Sequence, residues 1–546
     1  MSGVGKGIAT ASIGKILQAE GFRVNPIKVD PYLNVDAGTM NPTEHGEVFV
    51  LDSGLECDQD MGNYERFMDL DLSNTDYITS GMVYQTVIDK ERNLGYKGKC
   101  VEAVPHITGE ITRRIELAAK ESRSEISIIE IGGTVGDYQS VLFIEAARVL
   151  RLKHPADVIF IMVSYLPIPG TLGEMKTRPT QHAVRALNSY GVQPDMIIAR
   201  SKVPLDHKRK EKIALSCAVL PDHVISAPDI ESIYDAPLNF EHDSIGEILL
   251  KTLNLKRKNR KNGMVNWRGF VNKIRSAKKY VDIGIIGKYF DTGDFILSDT
   301  YISVIEAVRH AAYTLGFKPR LTWLNAKDFE AGKRAVSELS KYHGIIVPGG
   351  FGESGIEGKL KAIEFARTKK IPYLGLCYGM QLLVIEYARN VLGLRSANTT
   401  EIDLATADPV IDIMPDQKEK LARADYGGSM RLGAYPAYLA PGTIAFSAYA
   451  DSKSYKLKAN GYKLISERHR HRYEVNPAYI AKLEAGGMVF SGQSLDGTLM
   501  EIAELPKKVH PFFLGSQFHP EFKSRPLRPH PLFTSFIRAA IEFKKK

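Results

Sequence analysis

Short, uninterrupted apolar runs alternate with helical patterns through most of this 546-residue chain, and that alternation constrains its fold more than any other feature. Ile126-Ser127-Ile128-Ile129-Glu130, Val158-Ile159-Phe160-Ile161-Met162-Val163 and Ile197-Ile198-Ala199 are runs of this kind, with a helical stretch at 141–152 between the first two. A strand with one wet face alternates apolar and polar residues, whereas a strand covered on both faces reads as a continuous apolar run. The pattern therefore predicts parallel sheets flanked by helices, an α/β architecture. It lapses over 253–280, which is polar and basic, and restarts at Val281-Asp282-Ile283-Gly284-Ile285-Ile286-Gly287. The length exceeds what one core supports. Two domains are expected, at 1–252 and 281–546, joined by a basic linker at 253–280.

Composition narrows the class. Hydrophobic residues make up 44% and charged residues 25%, as in ordinary globular proteins. No apolar run approaches the ~18 residues that cross a bilayer. The opening Met1-Ser2-Gly3-Val4-Gly5-Lys6 has neither the apolar core nor the cleavage site of a signal peptide, so a cytoplasmic protein without a membrane partner is expected. Cys57, Cys100, Cys217 and Cys377 are scattered and suggest neither a disulfide framework nor a zinc site. Part of the net charge of +9 sits in Lys256-Arg257-Lys258-Asn259-Arg260-Lys261. Without interleaved aromatics this run reads as a solvated linker, and no nucleic-acid partner is expected.

In the first half, Gly3-Val4-Gly5-Lys6-Gly7-Ile8 leads into a helical run. Glycines let backbone N–H groups approach phosphate oxygens, the helix start adds partial positive charge, and Lys6 adds a full one. Gly7 stands where a P-loop carries the Ser or Thr that ligates Mg²⁺, so alone the motif reads equally as a glycine-rich helix start. Asp60 and Glu130 are candidate Mg²⁺ ligands. Glu130 closes an apolar run, and the carboxyl end of a parallel strand faces the crevice where α/β ligands bind. The block Lys176-Thr177-Arg178-Pro179-Thr180-Gln181 suits a second nucleoside triphosphate, or is simply a basic loop.

In the second half, Gly375-Leu376-Cys377-Tyr378-Gly379-Met380-Gln381 follows a strand-like run. A nucleophile between glycines at a strand-to-helix turn is an elbow that exposes the reactive atom. The helix start lowers the thiol pKa and offers an oxyanion donor. Phe518-His519-Pro520-Glu521 supplies a base, His519, and a carboxylate, Glu521, to orient it.

Together these segments resemble the CTP synthase family, in its order and along nearly the whole chain. The resemblance is carried also by Lys28-Val29-Asp30-Pro31-Tyr32, His45-Gly46-Glu47-Val48-Phe49-Val50, Tyr64-Glu65-Arg66-Phe67, Glu130-Ile131-Gly132-Gly133-Thr134-Val135-Gly136-Asp137 and Glu467-Arg468-His469-Arg470-His471-Arg472. It implies a P-loop, dethiobiotin-synthetase-like amidoligase domain followed by a class I glutamine amidotransferase domain. The implied reaction is ATP-dependent amination of UTP to CTP with nitrogen from glutamine or ammonia. By resemblance Gly3, Val4, Gly5, Lys6, Gly7, Ile8 and Asp60 hold ATP, with Pro228, Asp229 and Ile230 at the adenine. Asp60 and Glu130 hold Mg²⁺, and Lys28 lies near the transferred phosphate. Ser2, Asp137, Tyr138, Gln139, Lys176, Thr177, Arg178, Pro179, Thr180, Gln181 and Lys212 match UTP- or CTP-contacting positions. Gly350, Tyr378, Gln381, Glu401 and Arg472 match glutamine-holding and oxyanion positions. GTP as activator, CTP as feedback inhibitor and a homotetramer are also implied.

The sequence departs from the family in places. The family carries a strand and a glycine pair before the phosphate loop, whereas this chain opens inside the loop, so a mis-assigned start or a fragment is expected. Gln139 replaces an acidic residue, which bears on CTP inhibition, and Ser354 an arginine, which bears on GTP activation. Pro228 replaces a lysine, and the segment between Glu401 and Gly427 is shorter than usual. Two other readings stay open: an amidoligase with a different acceptor, and a catalytically impaired structural subunit.

Overall fold

Val24–Asp30 is buried along its whole length, as a strand covered on both faces must be. It lies at the centre of a three-stranded parallel sheet, between Tyr77–Thr79 and Ile126–Ile131. These coordinates come from a computed structural model, which describes residues 3–170, 173–258, 263–287, 298–350, 352, 354–422, 427–451, 456–457 and 461–545. The chain forms two compact units, the first comprising 1–36 and 60–271, the second 37–59 and 272–546.

The first unit holds a second three-stranded parallel sheet, ordered Ile161–Tyr165, Met196–Ser201, Val224–Pro228. The helix Val141–Lys153 serves both sheets. Phe143 and Ala146 pack with Ile27 and Val29 of the first, while Ile144 packs with Met162 and Ile197 of the second. Among the described residues no strand pairs with the outer edges of Ile126–Ile131 or Ile161–Tyr165, and both strands are only partly buried. The parallel α/β expectation is met, in two short sheets rather than one. The 253–280 stretch is not all linker, since Val265–Ser276 is a helix whose Trp267 is buried beside Phe67 and Tyr234. Of the basic run, Arg257 pairs with Glu20 and Lys258 with Glu125; Asn259, Arg260 and Lys261 lie outside the described residues.

The second unit is built on a ten-stranded sheet. Its first five strands, Phe317–Asn325, Lys279–Gly287, Gly344–Val347, Tyr373–Leu376 and Phe513–Ser516, run parallel. The remainder, from Met500–Glu504 through Val489–Ser494, Arg431–Leu439 and Lys463–His471 to Lys456–Leu457, is antiparallel. The parallel part carries the apolar runs visible in the sequence; the antiparallel part carries the His–Arg repeat. Residues 37–59 pack in this unit although the chain position places them in the first half.

Candidate active sites

In the first unit the glycine-rich loop at 3–8 and the acidic residues gather near a lysine. Gly3 and Gly5 adopt positive φ, 70° and 84°, which favours glycine, and the helix Lys6–Ala19 begins directly after them. Lys6 Nζ donates to Gly133 O at 2.8 Å, tying the loop to the glycine turn after Ile126–Ile131. Lys28 Nζ, from the central strand, lies 2.6 Å from Asp60 Oδ2, 2.9 Å from Glu130 Oε1 and 3.7 Å from Asp30 Oδ1. Burial opposes the charge on Lys28, but Asp60 and Glu130 outweigh it and hold the ammonium well above the usual lysine range. Burial pushes Glu130 up to about 7 despite Lys28. Burial also lowers Lys6.

Gly7 explains the missing Ser or Thr. A Cβ at this position would stand 1.9 Å from Asp60 Oδ1, so the Asp60 carboxylate occupies the space that a side chain there would need. Two carboxylates converging on one ammonium suit a hard cation whose other ligands are phosphate oxygens and water. Among the described residues no group of three or more His, Cys, Asp or Glu side chains could hold a metal alone.

Pro228, Asp229 and Ile230 follow the strand Val224–Pro228. They are linked to the loop by a residue that motif reading missed. Arg200 donates to Ala227 O at 3.0 Å, Pro228 O at 2.9 Å and Asp229 Oδ1 at 3.0 Å, and its Nε lies 3.8 Å from where a Cβ on Gly5 would stand. Its position at the carboxyl end of a buried parallel strand was the available signal. Tyr64, also unassigned from sequence, donates its hydroxyl to Glu130.

The positions expected from the sequence to contact UTP or CTP sit on loops and a helix start. Asp137 accepts from Thr134 N at 2.8 Å and closes a turn, while Tyr138 is 96% exposed and Gln139 follows it. Lys176 pairs with Glu174 at 2.5 Å, and the Lys212 charge also helps depress the Glu174 carboxyl below its usual range, after the larger Lys176 hydrogen bond. The helix Arg178–Ser189 starts here with Pro179 in its first turn. Gln181 Nε2 donates to Thr177 Oγ1 at 3.2 Å, but Thr180 is fully buried and bonded to Ser164 at 2.9 Å, so its hydroxyl is spent within the core. Ser2 lies outside the described residues.

In the second unit the chain makes a nucleophile elbow. Cys377 has φ 50° and ψ −101°, strained for a residue with a Cβ, between the strand Tyr373–Leu376 and the helix Tyr378–Asn390. Its neighbours must be small: a Cβ on Gly375 would come within 2.6 Å of Gly379 backbone, and one on Gly379 within 2.1 Å of Val347 O. A Cβ on Gly349 would lie 3.7 Å from Cys377 Cβ and 3.0 Å from His519 Cε1, so Cys377 and His519 flank this one glycine. His519 Nδ1 is 2.7 Å from Glu521 Oε1. Burial works against the imidazolium, but Glu521 and Cys377 together raise His519 to about 10. With Nδ1 held by Glu521, Nε2 is the buried atom left for proton transfer.

The supporting residues gather around this pair. Gln381 Nε2 donates to Tyr473 O at 2.9 Å and to Gln517 Oε1 at 3.3 Å, and Gln517 Nε2 reaches Cys377 Sγ at 3.7 Å. Gln517 went unassigned from sequence, since no local motif marks it. Glu401 Oε1 accepts from Gly352 N at 2.8 Å in the loop that carries Gly350. Arg472 is held by Gln417 Oε1 and Ser429 Oγ, each at 2.8 Å. Gly350, Cys377 and His519 line one cavity of about 70 Å³, together with Pro42, Glu47 and Val48.

Two family models match this chain: CTP synthase N-terminus over residues 1–255, and glutamine amidotransferase class-I over residues 296–539. A CTP synthase of Pyrococcus furiosus is 48% identical over 548 residues, covering 100% of this chain and 97% of that protein. One from Caldanaerobacter subterraneus is 47% identical with the same coverage. Among solved structures, the glutaminase domain of Trypanosoma brucei CTPS with bound acivicin is 35% identical, covers 48% of this chain and 94% of that one, and has a TM-score of 0.42. Full-length identity of this order, joined to both domain matches, means that the chain belongs to the CTP synthase family.

Proposed function

We infer that this protein aminates UTP to CTP, consuming ATP and taking its nitrogen from glutamine. The observation that carries this reading is the pairing of a Cys377–His519–Glu521 elbow in one unit with a phosphate loop and the Lys28–Asp60–Glu130 cluster in the other. In this reading residues 1–252 form the amidoligase domain and 281–546 the amidotransferase domain.

At the elbow, Cys377 sulfur attacks the side-chain amide carbon of glutamine. The oxyanion is met by the N–H groups of Tyr378 and Gly350, while Glu401 and Arg472 hold the amino-acid end. His519 gives its proton to the departing ammonia, then takes one from the water that frees glutamate. The released ammonia first enters the cavity beside Cys377. In the amidoligase domain the γ-phosphoryl group of ATP passes to O4 of UTP, with Lys6 and Lys28 offsetting charge on the transferred group. Ammonia then bonds to C4 and phosphate leaves. Asp60 and Glu130 are suited to hold magnesium, which supplies further charge neutralisation at the phosphates. GTP activation, CTP feedback, a homotetramer and a cytoplasmic setting belong to the same proposal and rest on family resemblance.

The test is CTP formation by the purified chain supplied with UTP, ATP, Mg²⁺ and glutamine. CTP and glutamate appearing in equal amounts is the expected result. Failure to form CTP with either glutamine or ammonium would overturn the reading.

A further inference from the structure

We propose that the hairpin Phe49–Val50 and Glu56–Cys57, which lies within the stretch matched to the CTP synthase N-terminus, positions the glutaminase base and nucleophile through Phe49, Asp52 and Glu56. The inference rests on the amidotransferase reading above and extends it to residues that touch no substrate.

The hairpin is docked by backbone. Leu51 N donates to Leu55 O and Gly54 N to Leu51 O, each at 3.0 Å, and Ala434 N donates to Asp52 O at 2.8 Å. The approach needs glycine on both sides. Gly54 and Gly433 have φ of 92° and 93°, and a Cβ on Gly433 would stand 2.6 Å from Gly54 N.

Three side-chain links then run from the hairpin toward the chemistry. Fully buried Phe49 packs edge-on against Phe522, centroids 5.0 Å apart, and Phe522 stacks on the His519 ring at 5.1 Å with planes 17° apart. Asp52 accepts from Arg468 Nε at 2.5 Å and Lys523 Nζ at 3.2 Å. Arg468 O in turn accepts from His519 N at 2.8 Å. Glu56 Oε1 accepts from Arg470 Nε at 2.7 Å, and Arg470 O faces Cys377 Sγ at 3.8 Å. The strand Lys463–His471 thus binds the hairpin with its arginine side chains and holds the catalytic pair with the carbonyls of the same two residues. Because a misplacement of about 1 Å costs a reaction up to ~100-fold, a lever of this kind governs rate without touching substrate.

Two variants of the full chain, Phe49→Leu and Asp52→Asn, test it, with Asp52→Glu as rescue. Glutamate release, CTP formation from glutamine and CTP formation from ammonium are each measured. The expected result is a fall in glutaminase kcat of about 10-fold or more with glutamine KM within about twofold, unchanged ammonium-driven synthesis, and partial recovery in Asp52→Glu. Glutaminase kcat within twofold of the parent overturns the inference. So does normal glutamate release with reduced CTP from glutamine, which would make the hairpin only a wall for ammonia. A variant that also loses ammonium-driven synthesis is judged by the other; if both lose it, the hairpin is a folding element and the inference falls. A parent chain that hydrolyses no glutamine overturns the amidotransferase reading instead, and this inference with it.

Discussion

His519 Nδ1 lies 2.7 Å from Glu521 Oε1, and this one contact sets both the tautomer and the charge of the base beside Cys377. Replacing Glu521 by Gln removes the largest charge that raises His519 to about 10. Glutaminase kcat should then fall about 100-fold, and the alkaline limb of its pH profile should move from near 10 toward neutral. Stability carries the same sign. The folded value lies above the ordinary 6.5, so the pairing contributes stability fully present below pH 6.5 and lost as pH rises through about 10. Glutamate release measured from pH 6 to 11 checks the first, and urea unfolding at matched pH the second.

Gly7→Ala should disable the first unit alone. Its added methyl would stand 1.9 Å from Asp60 Oδ1 and push that carboxylate off Lys28. CTP formation from glutamine and from ammonium should both drop by about 10-fold or more, while glutaminase survives. Rates with both nitrogen sources, beside glutamate release, give the answer.

Lys28→Met tests the buried cluster as a structural unit. It leaves Asp60 and Glu130 facing each other with their shared cation gone. Removing one partner of a buried ion pair costs about 3–5 kcal/mol, so the urea midpoint should fall by a corresponding amount along with synthesis.

Arg200→Ala should weaken ATP specifically. Arg200 bonds Ala227 O, Pro228 O and Asp229, and letting the segment these bonds hold shift should raise the ATP KM about 10-fold or more with the UTP KM little changed. Initial rates at varied ATP and UTP separate the two.

Legibility in the sequence followed a simple physical division. Elements whose chemistry is local could be read: the buried parallel strands as apolar runs, the Cys377 elbow as glycines around a cysteine, and His519 with Glu521 as neighbours on one short turn. Contacts between distant segments could not. Nothing near residue 52 announces that Asp52 will meet Arg468, and Arg200 lies far along the chain from Gly5. Thr180 looked like its neighbours in a polar block, yet its hydroxyl faces Ser164 in the core. The antiparallel half of the large sheet was missed because the Lys463–His471 strand alternates buried histidines with arginines that are themselves covered by acidic partners. Beyond Leu464 and Ile465 it is polar on both faces and lacks the sustained apolar signal that marks a buried strand.

The central claim is that ammonia freed at Cys377 is what aminates UTP. Comparing the parent chain with Cys377→Ala for CTP formation, once with glutamine and once with ammonium, tests it most directly. The account predicts that Cys377→Ala makes no CTP from glutamine and keeps the parent rate with ammonium. CTP still formed from glutamine by Cys377→Ala would contradict it.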